Sequence, residues 1–253
     1  MDNSAFYEDI EEVIQRAMDV GLKGFVIPGA SFSDLPQAIK LVEKYENIYF
    51  AIGVHPYDAE EYNLETMKKY ASHKKCIAIG ECGLDYFRLP ENDDEKEVYK
   101  NKQKEVFISQ INFAKEVKKP LIVHIRDASQ DAKDLLTKYA DPKIGGILHC
   151  YNADECLLSL SESFYYGIGG VLTFKNAKKL VNIFPKIPKN RILIETDSPY
   201  LTPHPFRGSR NEPKYCVEIA LKMAELLNID EKELKSLIIN NTKSIFKVFS
   251  SLS

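Results

Sequence analysis

Seven short apolar runs, nearly every one followed by a helical pattern, constrain this chain more than any other feature. In the last of them Ile192, Leu193 and Ile194 lead straight into Glu195 and Asp197, and Pro199 and Pro203 then stop the run. A parallel strand covered on both faces gives such a continuous apolar run. Proline cannot extend it into more ladder. Asp197 is therefore expected at the C-terminal end of a strand, where parallel α/β architectures place their chemistry.

The same unit repeats along the chain. Residues 7–20 carry Ile10, Val13, Ile14, Ala17 and Met18 at helical spacing, with Gly21 closing the turn. A strand is expected over Leu22–Ile27, then a helix from about Ser33 to Tyr45 with Ser33 or Asp34 as cap. Ile48–Val54 reads as a strand ending at His55-Pro56, with helix following to about Ser72. Cys76–Gly80 reads as a strand ending at Glu81, and a charged excursion then leads to a helix over 96–117. The strand Leu121–Ile125 carries His124 and runs into Arg126, and a helix over 127–139 has Asp127 as its expected cap. Ile144–Leu148 ends at His149, with a helix from about Asp154. Tyr165–Val171 is a glycine-rich strand followed by a helix near 176–184; Ile192–Thr196 is the last strand, and helices fill 213–250.

Alternation of this kind demands a parallel sheet with right-handed crossovers, and about 250 residues is the usual length of a (β/α)8 barrel. The expected fold is α/β, a TIM (β/α)8 barrel in a single domain over 1–253, one strand short of eight. Because the chain opens on a helix, the missing strand is expected to be the first, before Met1. A doubly wound open sheet is the alternative, but it does not put polar residues at so many strand ends.

Four strands end in residues able to bind metal: Glu81, His124, His149 and Asp197. In a barrel they converge on one rim. Mixed imidazole and carboxylate ligands suit a divalent ion such as zinc, manganese or magnesium. A carboxylate such as Glu81 can bridge two ions, and such pairs commonly catalyse displacement at phosphorus. Asp197 could then hold an ion and orient or deprotonate the attacking water.

These residues sit in longer motifs: Gly53-Val-His55-Pro56, Gly80-Glu81-Cys-Gly-Leu-Asp85-Tyr86, Pro120-Leu-Ile-Val-His124-Ile-Arg126, Leu148-His149-Cys-Tyr, Gly167-Ile-Gly-Gly, Glu195-Thr-Asp197-Ser-Pro-Tyr-Leu-Thr-Pro203 and Arg207-Gly-Ser-Arg-Asn-Glu-Pro213. Together, spread over residues 9–248, they resemble the TatD family of metal-dependent deoxyribonucleases. The resemblance implies a TIM barrel that cleaves DNA, often as a 3'-5' exonuclease on single strands or 3' ends, with up to two divalent ions per chain. By the same resemblance Glu81 bridges, His124 and His149 hold one ion, and Asp197 holds the other and serves the water. His55 would approach the substrate phosphate.

The chain departs from the family in one place. The family opens on a strand with a His-x-His pair, and here Met1 stands where the following leucine would be. The absent pair matches the absent strand. A chain that starts late is the expectation, with a less stable barrel and exposed strand edges; a divergent protein with its second metal site weakened is the competing reading.

Arg207 and Arg210 follow the last strand and, with Arg126 and Arg88, are candidates to grip a DNA backbone. Tyr86 and Phe87 are candidates to stack on an unpaired base, simple packing being the other reading. His204 lies in the same loop as the two arginines. His73 reads as a solvent-facing helix end, and the charge run Glu91–Lys104 as a solvated face.

Composition narrows the field further. The net charge of -3 excludes a generally basic coat, so a polyanionic substrate must be met locally. Five cysteines with no Cys-x-x-Cys spacing indicate neither a disulfide framework nor a zinc ribbon. The acidic N-terminus is unlike a signal peptide, and no apolar run approaches the roughly 18 residues of a membrane helix. A cytoplasmic enzyme with DNA as partner and no membrane contact is the leading expectation. Its rivals are a hydrolase of small amides, lactones or phosphotriesters, which usually bridges its ions with lysine where this chain has Glu81, and a non-catalytic nucleic-acid scaffold.

Overall fold

The computed structural model describes residues 1–251. Seven strands are found among them: β1 (Phe25–Ile27), β2 (Ile48–Ile52), β3 (Cys76–Asp85), β4 (Leu121–Arg126), β5 (Gly146–Leu148), β6 (Phe164–Ile168) and β7 (Ile192–Ile194). They form one sheet in sequence order, and the pairs β2–β3, β3–β4, β4–β5 and β6–β7 are parallel. A doubly wound sheet reverses its strand order at a switch point. Sequential order therefore decides for the barrel type of α/β fold, here with seven strands. No helix among the described residues is long and apolar enough to cross a membrane.

The helices are α1 (Ile10–Asp19), α2 (Leu35–Lys44), α3 (Leu64–Ala71), α4 (Asp93–Val117), α5 (Ser129–Tyr139), α6 (Lys178–Ile183), α7 (Cys216–Leu227) and α8 (Glu231–Ile245). Asn63, Asn92 and Asp230 cap α3, α4 and α8 by accepting a backbone N–H three residues on. Asp127 does not cap α5: the N-cap is Ala128, and Asp127 has φ 53°. Two stretches expected to be helical are tighter. Pro56–Glu61 and Glu155–Leu160 are 3-10 turns.

The larger differences are in the strands. β3 does not stop at Gly80 but runs through Glu81 to Asp85, with all ten residues buried. Glu81 is consequently a mid-strand residue, and the tip is Asp85. β6 ends at Ile168, and Gly170–Thr173 turns instead; a Cβ on Gly170 would lie 2.1 Å from the Leu201 carbonyl oxygen, so the turn needs glycine there. β7 closes at Ile194, so Asp197 lies three residues beyond the ladder.

Contacts between Cα atoms divide the chain into two compact units. One comprises residues 26–149 and 156–164, the other 1–25, 150–155 and 165–253. In the first, α4 buries a stripe of Val106, Phe107, Ile111 and Ala114 against the strands, with Gln103 and Gln110 in the same stripe and each 1% exposed. Gln103 falls inside the run expected to be solvated. Each glutamine meets a backbone edge with both ends of its amide. Gln110 donates to the Val54 carbonyl at 3.0 Å and accepts the Val54 N–H at 2.9 Å, and Gln103 does the same for Asp85, both at 2.9 Å. His73 packs half-buried against Phe50 rather than facing solvent.

The second unit carries an ion-pair network. Arg210 binds Asp9 at 2.6 Å and Glu212 at 3.1 Å, and Arg16 binds the same two acids at 3.2 and 2.9 Å. The bond from Arg210, followed by that from Arg16, holds the Asp9 carboxyl down at about 2 against an ordinary 3.8. A depressed carboxyl contributes stability above its unfolded pKa and loses it as pH falls. Asp9→Asn is expected to flatten the decline in urea stability between pH 4 and about 2 relative to wild type. Parallel curves for the two proteins would remove Asp9 from the acid response.

Candidate metal centre

All the groups of the centre described here belong to the unit built on β2 to β5. The segment after β1 braces it: Gly29 N–H donates to the Gly80 carbonyl at 3.1 Å and its own carbonyl accepts Glu81 N–H at 2.8 Å. A Cβ on Gly29 would stand 2.3 Å from the Ala51 carbonyl oxygen, so only glycine fits between these backbones. His55 follows β2, Glu81 and Asp85 lie on β3, His124 lies on β4 and His149 follows β5. After a register shift between Ile79 and Cys82, residues 83 and 85 share one face of β3. Gly83 leaves room for His124, whose carbonyl oxygen would be 2.0 Å from a Cβ at that position.

One carboxylate oxygen organises the cluster. Glu81 Oε1 lies 2.9 Å from His124 Nδ1, 3.9 Å from His149 Nε2 and 4.0 Å from His55 Nε2. The other ring nitrogen of His124 meets Asp85 Oδ2 at 2.9 Å. Burial alone would raise the Glu81 carboxyl, but the charges of His149 and His124, with the His124 hydrogen bond, draw it down to about 2. Burial opposes the charged form of His124 too, and its bonds to Asp85 and Glu81 overcome this and raise it to about 9. Asp85 follows the same logic, lowered against its burial by His124 and by the N–H of Phe87.

This donor set fits a divalent ion. Ligand atoms about 2.0–2.2 Å from one ion stand roughly 3 to 4 Å from each other, and Glu81 Oε1 stands at such distances from His124 and from His149. His124 also shows the pairing that orients metal-bound imidazoles, with one nitrogen toward the centre and the other on the Asp85 carboxylate. The grouping whose ligand atoms all lie within 4.8 Å of one another is His55, Asp85 and His124. The hydrogen bonds argue against His55 as a ligand. Its Nδ1 accepts the Tyr57 N–H at 3.2 Å, which puts the proton of the neutral ring on Nε2. Burial lowers the ring to about 4, so it stays neutral and presents Nε2–H as a donor.

The structure thus brings together Glu81, His124, His149 and His55 among the expected residues and adds Asp85. The sequence signal for Asp85 was the spacing of four from Glu81, legible only once β3 is known to continue. Arg126 lies over the Phe87 ring, 3.5 Å from its centroid. Asp197, Arg207 and Arg210 belong to the other unit. Asp197 has φ 53°, a conformation that aspartate tolerates better than most residues. Arg207 lies over Phe174 at 3.9 Å and bonds the Thr202 carbonyl at 3.0 Å. His204 donates its N–H to Thr173. Arg210 is paired with Asp9 and Glu212.

The model of the TatD related DNase family matches residues 1–247. The chain belongs to the TatD family. As a member it is a metal-dependent hydrolase, in keeping with the relatives it resembles. It is 42% identical to the uncharacterized metal-dependent hydrolase YabD of Bacillus subtilis, over 95% of this chain and 93% of that protein. It is 31% identical to the 3'-5' ssDNA/RNA exonuclease TatD of Shigella flexneri, over 97% and 96%. Among solved structures, the TatD homologue YJJV of Escherichia coli superposes with a TM-score of 0.86 at 26% identity, covering 97% of this chain and 95% of that one. A TatD family hydrolase of Entamoeba histolytica gives 0.82 at 26% identity, covering 94% and 89%. The expected family and fold are both borne out.

Proposed function

We propose that this TatD-family hydrolase is a nuclease that cleaves phosphodiester bonds of single-stranded DNA from the 3' end. The observation that carries the proposal is the single Glu81 oxygen with three imidazoles within 4.0 Å, a carboxylate that would bridge the ions where small-molecule hydrolases of the superfamily usually use lysine. The exonuclease named among its relatives supports it. A divalent ion held by Glu81, His124 and His149 would supply Lewis acidity and make water a competent nucleophile at neutral pH. Asp85 fixes the ring of His124. His55, neutral and with its proton on Nε2, donates to a non-bridging phosphate oxygen. Asp197 keeps, on the family resemblance alone, the part of second ligand and water-orienting carboxylate, and Arg126 and Arg207 that of phosphate contacts.

The five cysteines form no disulfide, which supports a reducing, cytoplasmic setting. Magnesium, manganese and zinc all suit the donor set. The deciding experiment incubates the purified chain with a 5'-labelled single-stranded oligonucleotide and each ion in turn. A ladder shortening from the 3' end is the expected product. Intact DNA with all three ions, beside a hydrolysed phosphotriester or amide, would transfer the site to small molecules.

A further inference from the structure

Just past the centre, Phe87 is an apolar ring left 55% exposed. One face is covered by the Arg126 guanidinium at 3.5 Å, and the neighbouring Arg88 lies over the Tyr57 ring at 5.2 Å. In a chain of net charge -3 these two arginines are a local concentration of positive charge on aromatic rings. The platform is also fixed in place. Phe87 N–H donates to Asp85 Oδ1 at 2.9 Å, and the other oxygen of the same carboxylate holds His124 at 2.9 Å. On the opposite side Tyr86 N–H donates to the Arg126 carbonyl at 2.9 Å, and its hydroxyl bonds Asp131 at 2.7 Å. One carboxylate therefore sets both the imidazole of the metal centre and the backbone that presents the exposed ring.

We propose that Phe87, backed by Arg126, is a stacking platform for an unpaired base next to the scissile phosphate and so selects single-stranded over duplex ends. This rests on the nuclease reading above. Aromatic rings accept any base face, so the contact is tolerant of sequence, while a base inside a duplex has no free face to offer. Arg88 and Arg126 supply the charge that the phosphates on either side of that base require.

The chain contains no tryptophan, so Phe87→Trp introduces a lone fluorophore at the platform. In a Glu81→Ala background, which prevents cleavage, an octamer of thymidylate is expected to quench that emission, and an octamer of abasic sites is not. Phe87→Ala in the same background should bind the thymidylate octamer about 5- to 100-fold more weakly. The preference for thymidylate over abasic octamer should fall toward one, and Phe87→Trp should preserve it. Circular dichroism melts check that the variants fold. If wild type cleaves and binds single strands while Phe87→Ala keeps the full preference, the platform is refuted and the nuclease reading stands. If wild type neither binds nor cleaves DNA with any ion, both are refuted together.

Discussion

Glu81→Ala is expected to lower hydrolysis of single-stranded DNA by about three orders of magnitude and to abolish tight binding of the ion that supports it. The size of the effect follows from geometry. The lost oxygen is the one atom common to His124, His149 and His55, at 2.9, 3.9 and 4.0 Å, and no other carboxylate oxygen in this unit is described with three imidazoles around it. Glu81→Gln separates charge from shape. The amide fills the same space but supplies no negative charge to a cation, so it should be nearly as inactive as alanine. Asp85→Asn is the contrast, because Asp85 acts through His124 rather than on the substrate. It should keep the ligand set and cost about 10- to 100-fold in metal affinity by calorimetry. If Glu81→Gln retains activity within tenfold of wild type, the carboxylate is packing and the centre lies elsewhere.

What could be read in the sequence was whatever repeats or alternates. The apolar runs placed all seven strands, because a strand covered on both faces cannot hide its composition. Glu81, His124 and His149 were found because each breaks or closes such a run. Asp85 was quoted within a motif but not assigned to the site, since the strand was expected to end at Glu81. Only the structure shows that Gly83 lies against the His124 backbone, so that two acids and two glycines continue a buried strand. The ion pairing of Arg210 was hidden for a different reason. Its partner Asp9 lies 201 residues away, and no local pattern records a pairing of that span. The glutamines of α4 failed by type. A polar residue inside a charged run is normally solvated, and its burial becomes intelligible only when the backbone edge it satisfies is known.

Those glutamines carry the largest expected loss of stability. Gln110→Leu keeps the volume of the side chain but leaves the Val54 N–H and carbonyl without their partners in a buried setting. Each stranded backbone group costs about 1–3 kcal/mol, so a loss of roughly 2–5 kcal/mol in urea denaturation is expected. Gln103→Leu should cost a similar amount through Asp85. Gln110→Glu tests the direction of the bonds. As a carboxylate it can accept the Val54 N–H but cannot donate to the Val54 carbonyl, whereas the neutral acid can do both, so its loss should be largest at high pH and shrink as pH falls and the side chain is protonated. The two sites lie seven residues apart on one helix, about 10 Å, and their losses should add within about 0.5 kcal/mol. The clamps also act on the centre, since Val54 precedes His55 and Asp85 holds His124. At temperatures where the single variants remain folded, Gln110→Leu should reduce turnover through His55 while leaving metal affinity near wild type. Gln103→Leu should weaken metal affinity through Asp85. Identical profiles for the two variants would mean that the glutamines stabilise the fold without aiming the site.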